Sequence, residues 1–135
     1  MYIDGASRGN PGPASVGVVI TNGGHAPLRQ FGAYLGETTN NVAEYCALLY
    51  GLQEALRAGC RAVTVRTDSE LLARQVNGQY RVRDAQLRLL HGLAVHLMEA
   101  FASCRVVHIP REQNTLADRL AGDAIRRHAA AVVAH

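Results

Sequence analysis

The sequence contains no tryptophan and no lysine, so its fourteen basic residues are all arginines. Without lysine, the chain cannot be a P-loop nucleotidase, a Schiff-base enzyme or a kinase that uses the usual catalytic lysine. Cysteine is also scarce: Cys46, Cys60 and Cys104 are odd in number, far apart and not arranged as C-x-x-C. A disulfide framework and a zinc site are therefore not expected, and a reducing cytoplasmic compartment is expected.

No apolar run approaches the ~20 residues that a membrane-spanning helix needs. The first residues lack the basic region and the apolar stretch of a signal peptide, so we expect no membrane association. Only eleven residues are acidic, which leaves a net charge of +3 and a sequence pI of about 9.0. This mild basicity permits a polyanionic partner without requiring one.

The chain has 135 residues, of which 48% are hydrophobic and 19% charged, and this composition predicts one folded domain over residues 1–135. The first third of the chain has the pattern of strands. It predicts a short strand at residues 2–3, a loop rich in glycine and proline at 8–13, and strands at 16–20 and 29–35. Asn22-Gly23-Gly24 predicts the hairpin turn between the last two strands.

Helices and strands alternate in the rest of the chain. Helical periodicity covers residues 41–58, 69–76, 84–101 and 115 to about 128, and β-branched residues predict strands at 62–67 and 104–109. The order β-β-β-α-β-α-α-β-α predicts an α/β fold with a mixed five-stranded sheet flanked by helices. We expect strands one to three to be antiparallel and strands one, four and five to be parallel. Residues 127–135 either extend the last helix or fray.

Four acidic residues lie at the ends of these elements. Asp4 follows the first strand, Glu44 and Asp118 lie in the first turns of two helices, and Asp68 closes the fourth strand. Strand ends and helix starts gather at one edge of such a sheet, where open α/β sheets bind ligands. Converging carboxylates raise each other's pKa, and divalent cations remove that cost. An oxygen-rich set without cysteine suits Mg²⁺ or Mn²⁺, and two such ions support in-line phosphoryl displacement.

Each of these acids also has an ordinary structural interpretation. A carboxylate beside glycine is typical of a turn, and an acid near a helix start is typical of a cap. The alternatives are a turn at Asp4-Gly5, a helix cap at Asp68, and capping boxes at Asn41-x-x-Glu44 and Thr115-x-x-Asp118.

The segments around the four acids resemble, in order and spacing, the signatures of type 1 ribonuclease H. They are YIDGASRGNPG at residues 2–12, TNNVAEY at 39–45, VRTDS at 65–69 and NTLAD at 114–118. The resemblance covers about residues 1–127. It implies the ribonuclease H-like fold and an endonuclease that hydrolyses the RNA strand of RNA/DNA hybrids by two-metal-ion catalysis. The products would carry 5′-phosphate and 3′-hydroxyl ends.

The resemblance also implies the roles of the acids. Asp4 would bridge two Mg²⁺ ions, which Mn²⁺ can replace, and Asp118 would complete the ion that activates water. Glu44 and Asp68 would hold the ion on the leaving-group side. No organic cofactor is expected, and the enzyme is expected to be a cytoplasmic monomer.

Substrate-binding residues follow from the same resemblance. Asn10, Asn40 and Asn41 match the positions that read the minor groove, where the 2′-hydroxyl distinguishes RNA from DNA. Thr39 matches a position that helps to hold a phosphate of the DNA strand. The alternative is that these residues serve turns and caps only.

Two departures from the family concern substrate binding and catalysis. The better-known cellular members carry a basic helix between the two middle helices, whereas this chain has only a short loop with Arg81 and Arg83. In this respect the chain resembles a compact bacterial or archaeal subgroup that lacks the basic helix. These arginines either substitute for that helix in binding the hybrid or are solvated loop charges. Many relatives also place a histidine before the last helix. Arg111 or Glu112 would take over its role here, and Asn114 of the last signature is a further auxiliary candidate.

Two other functions compete with this interpretation. Residues 5–9 match G-x-S-x-G, the nucleophile elbow of serine hydrolases, with Ser7 as the nucleophile. That elbow must lead directly into a helix, which the following Asn-Pro-Gly-Pro sequence forbids. The second alternative is a non-catalytic RNA/DNA hybrid-binding module on the same fold. The presence of all four acids argues against it.

Overall fold

The structure is a computed structural model that describes residues 1–23 and 26–134. These residues form one five-stranded sheet with helices on both faces. The elements are β1 (Tyr2–Ser7), β2 (Gly12–Thr21), β3 (Pro27–Thr38), α1 (Asn40–Arg57), β4 (Ala62–Thr67), α2 (Glu70–Val76), α3 (Ala85–Met98), β5 (Ser103–His108), a 3-10 turn (Arg111–Gln113) and α4 (Thr115–Ala134).

The sheet has the strand order β3-β2-β1-β4-β5. β1 pairs antiparallel with β2 and β2 antiparallel with β3, whereas β1–β4 and β4–β5 are parallel. The predicted fold class and the direction of every strand are therefore confirmed. The predicted hairpin turn lies between Thr21 and Pro27, which face each other at the ends of β2 and β3. Its Gly24 lies outside the described residues.

The first strand is longer than its sequence suggests. Residues 4–7 look like turn residues, yet β1 continues through Ser7 because every residue from Tyr2 onward pairs with β2. Asp4 therefore lies inside the central strand and not after it. The alternative interpretation of Asp4-Gly5 as a turn is therefore wrong.

The helix ends follow local rules. Thr39 caps α1, and its side chain accepts a hydrogen bond from the Val42 amide at 3.3 Å. Gly59, with a φ of +79°, follows the C-terminus of α1. α4 continues as a helix to Ala134, so the described part of the 127–135 tail extends the helix. None of the helices in the described parts is both long and apolar enough to cross a bilayer.

The two faces of the sheet are covered by different helices. α1 packs on one face and is covered in turn by α3, while α4 packs on the opposite face across β1, β2 and β3. The core between α1 and the sheet contains fully buried aliphatic side chains, among them Ile3, Val16, Leu48 and Leu52. Their removal from water is the main stabilising term for this layer.

Two strand glycines allow these helices to approach the sheet closely. A Cβ on Gly5 would overlap the carbonyl group of Ala43 and the amide nitrogen of Glu44 in α1. A Cβ on Gly17 would overlap the carbonyl group of Ala117 in α4 on the other face. Gly17 is the residue that faces Asp4 across the β1–β2 ladder. The backbones of both helices therefore touch the sheet beside Asp4.

Replacing Gly17 with alanine should destabilise the protein, because the new methyl group must displace the backbone of α4. We expect a loss of about 1–3 kcal/mol or more in the free energy of unfolding, measured by urea denaturation. Gly92 in α3 is the matched control, since nothing lies within 4 Å of its Cβ position. Gly92→Ala should stabilise by about 0.5–1 kcal/mol. Equal stabilities of Gly17→Ala and the wild type would contradict the close approach.

Candidate active site

The four acids predicted from the sequence meet in one cleft. Asp4 comes from the middle of β1, Glu44 from α1, Asp68 from the residue after β4, and Asp118 from the first turn of α4. All four line a cavity of about 280 Å³, together with Gly5, Ala6, Ser7, Asn40 and Arg111. The cleft lies where α1 and α4 approach β1 from opposite faces of the sheet.

Three of the carboxyl groups are close enough to share one ion. One oxygen from each of Asp4, Glu44 and Asp68 lies within 4.8 Å of the other two. Asp4 and Glu44 are each only 5% exposed, whereas Asp118 is exposed at the mouth of the cleft and faces Asp4. The site therefore has a buried centre and one acid that is accessible to solvent.

Glu44 is held by the backbone of the central strand. Its Oε1 accepts a hydrogen bond from the Gly5 amide at 2.9 Å, and its buried Oε2 has no partner among the described residues. The alternative interpretation, a capping box at Asn41-x-x-Glu44, is wrong, because Thr39 is the cap and the Glu44 carboxylate is bonded to β1. The unsatisfied Oε2 is free to act as a ligand atom in a buried site.

Asp68 and Asp118 are not caps either. Ser69, not Asp68, caps α2, and its hydroxyl accepts from the Leu72 amide at 3.1 Å. At the start of α4, the Asn114 carbonyl accepts from the Asp118 amide at 3.1 Å. The helical hydrogen bonds therefore begin at Asn114, one residue before Thr115, which the alternative interpretation made the cap. The capping box at Thr115-x-x-Asp118 is therefore wrong, and both carboxylates face the cleft.

Asn114 connects the last helix to the central strand. It is 1% exposed, and its Nδ2 donates to the carbonyl oxygen of Ile3 at 2.8 Å. Because its own carbonyl also accepts from Asp118, Asn114 joins the backbone next to Asp4 to the first turn of α4. This auxiliary candidate therefore holds the start of α4 against β1 and does not line the acidic cavity.

Burial and mutual repulsion perturb the acids. Burial raises the pKa of Asp4 well above its usual range, and the charges of Glu44, Asp68 and Asp118 raise it further. Burial also raises the pKa of Glu44, an effect that the hydrogen bond from Gly5 and the charge of Arg111 partly oppose. Without a cation, the cleft therefore holds protons that the unfolded chain would release at the same pH.

The donor set fits a hard divalent cation. All candidate ligands are carboxylate oxygens, which Mg²⁺ and Mn²⁺ prefer, and the unpartnered Oε2 of Glu44 offers a free ligand atom. Burial and then repulsion raise the pKa of Asp4, and a cation would remove the repulsion. The residues present are therefore suited to binding divalent metal.

The predicted groove residues lie beside the cleft. Asn10 and Asn41 are exposed, and Asn40 lines the cavity. The Asn10 side chain accepts from the Asn40 amide at 3.0 Å, so the Gly/Pro loop is attached to the start of α1. Thr39 combines a cap with its predicted phosphate-binding position.

Of the remaining candidate residues, some line the cavity and others lie outside it. Arg111 lines the cavity, whereas Glu112 is exposed on the 3-10 turn and does not line it. Arg81 and Arg83 are exposed in the loop between α2 and α3, outside the cavity. Ser7 is followed by a loop and then β2, so the nucleophile-elbow interpretation is wrong.

Sequence reasoning missed two backbone contributions to the site. The Gly5 amide that holds Glu44 and the close approach at Gly17 both depend on tertiary contacts. A glycine inside a strand often marks such an approach, and this was the available signal.

Comparisons with known proteins agree with this architecture. The model of the family described as "Reverse transcriptase-like" matches residues 2–124. Ribonuclease HI of Halobacterium salinarum is 40% identical over 124 residues, which are 92% of this chain and 62% of the relative. The crystal structure of RNase H1 from the same archaeon has a TM-score of 0.91 at 40% identity and covers 93% of this chain and 96% of that one. A structure of LC11-RNase H1 in complex with RNA/DNA hybrid has a TM-score of 0.88 at 43% identity and covers 94% and 96% of the two chains.

The strand order and the acidic cleft define a ribonuclease H-like domain. The matches over most of its length are more specific, and the chain belongs to the type 1 ribonuclease H family. Residues 77–84, all described, connect α2 directly to α3 without an additional helix, as expected from the short loop in the sequence.

The raised pKa of Asp4 predicts how stability depends on pH in the absence of metal. The folded protein binds protons more tightly than the unfolded chain, so its stabilisation is complete below about pH 4 and is lost as pH rises through the elevated pKa values. Between pH 5.5 and 8.5 in a chelator, we expect the free energy of unfolding to fall by about 1 kcal/mol or more. Asp4→Asn should reduce this fall, and added Mg²⁺ should oppose it.

Urea denaturation at several pH values measures this dependence. Asp123→Asn is the matched control, because Asp123 is a surface residue paired with Arg126. Identical pH dependence in wild type and Asp4→Asn would show that the cleft acids are not coupled as described.

Proposed function

We propose that the chain is a metal-dependent ribonuclease H that hydrolyses the RNA strand of RNA/DNA hybrids and leaves 5′-phosphate and 3′-hydroxyl ends. The observation that carries the proposal is the convergence of four carboxylates from four separate elements on one cleft of this fold. The relative LC11-RNase H1, of known structure with RNA/DNA hybrid, supports the substrate class. The chain spans 62% of the Halobacterium ribonuclease HI, so this activity is proposed for the domain alone.

The four acids would hold two divalent ions. Asp4 lies at the centre of the set and would bridge them, Asp118 would complete one site, and Glu44 and Asp68 the other. The ions, when bound, lower the pKa of water and stabilise the attacking and leaving oxygens of an in-line displacement. Gly5 fixes the orientation of Glu44, and Asn114 fixes the helix that carries Asp118. The protein itself supplies no nucleophile.

We propose Mg²⁺ as the physiological ion and Mn²⁺ as a substitute, because both prefer oxygen ligands. We also propose that the enzyme acts as a cytoplasmic monomer without an organic cofactor. The scarcity and spacing of cysteines support the compartment.

Substrate recognition would use the residues beside the cleft. Amide side chains both donate and accept hydrogen bonds, which suits the 2′-hydroxyl of the RNA strand. Asn40 lines the cavity and Asn10 is bonded to its backbone, so both can lie along one minor groove with Asn41. Thr39 would contact a phosphate of the DNA strand, and Arg81 and Arg83 would contact the backbone farther from the cleft.

Asp68→Asn should abolish cleavage of a labelled RNA/DNA hybrid, because it removes a ligand charge while keeping the shape of the side chain. We expect the rate with Mg²⁺ or Mn²⁺ to fall by about 10³-fold or more. Single-stranded RNA, duplex RNA and duplex DNA serve as competing substrates, and the hybrid should be cut fastest.

Asp123→Asn is again the matched control and should retain wild-type activity. If folded wild-type protein binds the hybrid but does not cut it with either metal, the chain is a hybrid-binding module and the hydrolase proposal is wrong.

Asn41→Ala should weaken recognition of the RNA strand. The loss of one or two hydrogen bonds predicts a fall in kcat/KM for the hybrid of about 3–30-fold. Asn22→Ala, an exposed change at the end of β2, is the control and should have no effect. Unchanged kcat/KM in Asn41→Ala would assign this residue to the helix start alone.

A further inference from the structure

The loop between α2 and α3 is attached to the helix that precedes it. The amides of Gln79 and Tyr80 donate to the Arg74 carbonyl at 2.8 and 3.2 Å. The guanidinium of Arg74 lies 5.2 Å from the centre of the Tyr80 ring. The loop therefore turns back over the end of α2 and presents Arg81 and Arg83 to solvent in a defined position.

A buried glutamine lies beneath this loop. Gln75 of α2 is 6% exposed, and its Nε2 donates to the carbonyl oxygen of Arg81 at 3.4 Å. Its Oε1 accepts from the hydroxyl of Tyr45 at 2.6 Å. Tyr45 is 1% exposed and directly follows Glu44 in α1. One amide group thus connects the backbone of the arginine loop to the helix that carries a cleft acid.

The surroundings of Gln75 fix the orientation of its amide. The backbone carbonyl oxygen of Arg81 can only accept a hydrogen bond, whereas the hydroxyl of Tyr45 can donate one. The amide must then place its oxygen toward Tyr45 and its nitrogen toward Arg81. His91 closes the cluster, with Nε2 3.2 Å from the backbone carbonyl oxygen of Gln75 and its ring edge-on to Tyr45.

We propose that Gln75 is a positioning residue that fixes the Arg81–Arg83 segment relative to the acidic cleft, so that both can contact one hybrid. The inference rests on the proposed function, since it assigns these arginines to the nucleic-acid backbone. Hybrid affinity depends on Gln75, whereas the chemical step does not, because Gln75 does not line the cavity of the four acids.

Gln75→Met tests this role, because methionine preserves the volume of the side chain and removes both hydrogen bonds. Affinity for a fluorescent hybrid is measured by anisotropy in the Asp68→Asn background, where cleavage is abolished. We expect Kd to rise about 5–10-fold, and the slope of log affinity against log salt to fall by about one for each phosphate that the loop no longer binds. In the active protein, KM should rise while kcat stays within about twofold. Gln79→Met, the same change at an exposed position, should leave all of these values unchanged.

A mutant cycle separates positioning from general destabilisation. In a protein that already carries Arg81→Gln and Arg83→Gln, Gln75→Met should have no further effect on Kd, because the arginines that it positions are absent. Where Gln75→Met does not fold, Tyr45→Phe replaces it; this variant keeps the ring, frees the amide of Gln75, and should weaken binding in the same direction.

Three results would overturn the inference. Wild-type Kd and salt slope in Gln75→Met would show that the loop needs no such anchor. If Gln75→Met raises Kd just as much in the background that lacks Arg81 and Arg83, Gln75 acts on the whole fold. Wild-type protein that binds no hybrid would reject the proposed function itself, which distinguishes that failure from the other two.

Discussion

The contact on which the structure depends is the approach of two helix backbones to the central strand beside Asp4. Gly5 admits α1 from one face, and Gly17, directly across the ladder from Asp4, admits α4 from the other. Because neither glycine has a side chain, Glu44 reaches the Gly5 amide and Asp118 reaches the vicinity of Asp4. With ordinary side chains at these two positions, the helices would stand farther from the sheet and the acids would not share one cleft.

This arrangement carries an electrostatic cost that the fold must offset. Asp4 and Glu44 are buried together with an unpartnered carboxylate oxygen, in surroundings that favour their neutral forms. The aliphatic core between α1 and the sheet supplies the compensating stabilisation. Unpaired and mutually repelling carboxylates are expected at a site that binds a cation. Carboxylates already paired within the protein would bind a cation less tightly.

The sequence pattern was sufficient for the order of elements, the strand directions and the identity of the four acids, because these depend on periodicity and on short motifs. It was insufficient where tertiary contacts override local preference. The turn-like residues 4–7 become a strand since β2 pairs with all of them. Thr39 rather than Asn41 caps α1, because Glu44 is bonded to Gly5 and cannot complete a box. The role of Asn114 depends on a partner 111 residues away, which no local pattern contains.

The long distance along the chain between Asn114 and Ile3 has a consequence for folding during protein synthesis. The hydrogen bond from Asn114 to Ile3 joins the start of the last helix to the first strand, and Asp118 is contributed by the last helix. During translation, a chain that has released only residues up to β5 has three of the four acids and an uncovered sheet face at Gly17. Folding of such a non-local topology waits for its final element. The acidic cleft is therefore completed last, and any activity that needs all four acids would begin only after α4 has been synthesised and has packed on the sheet.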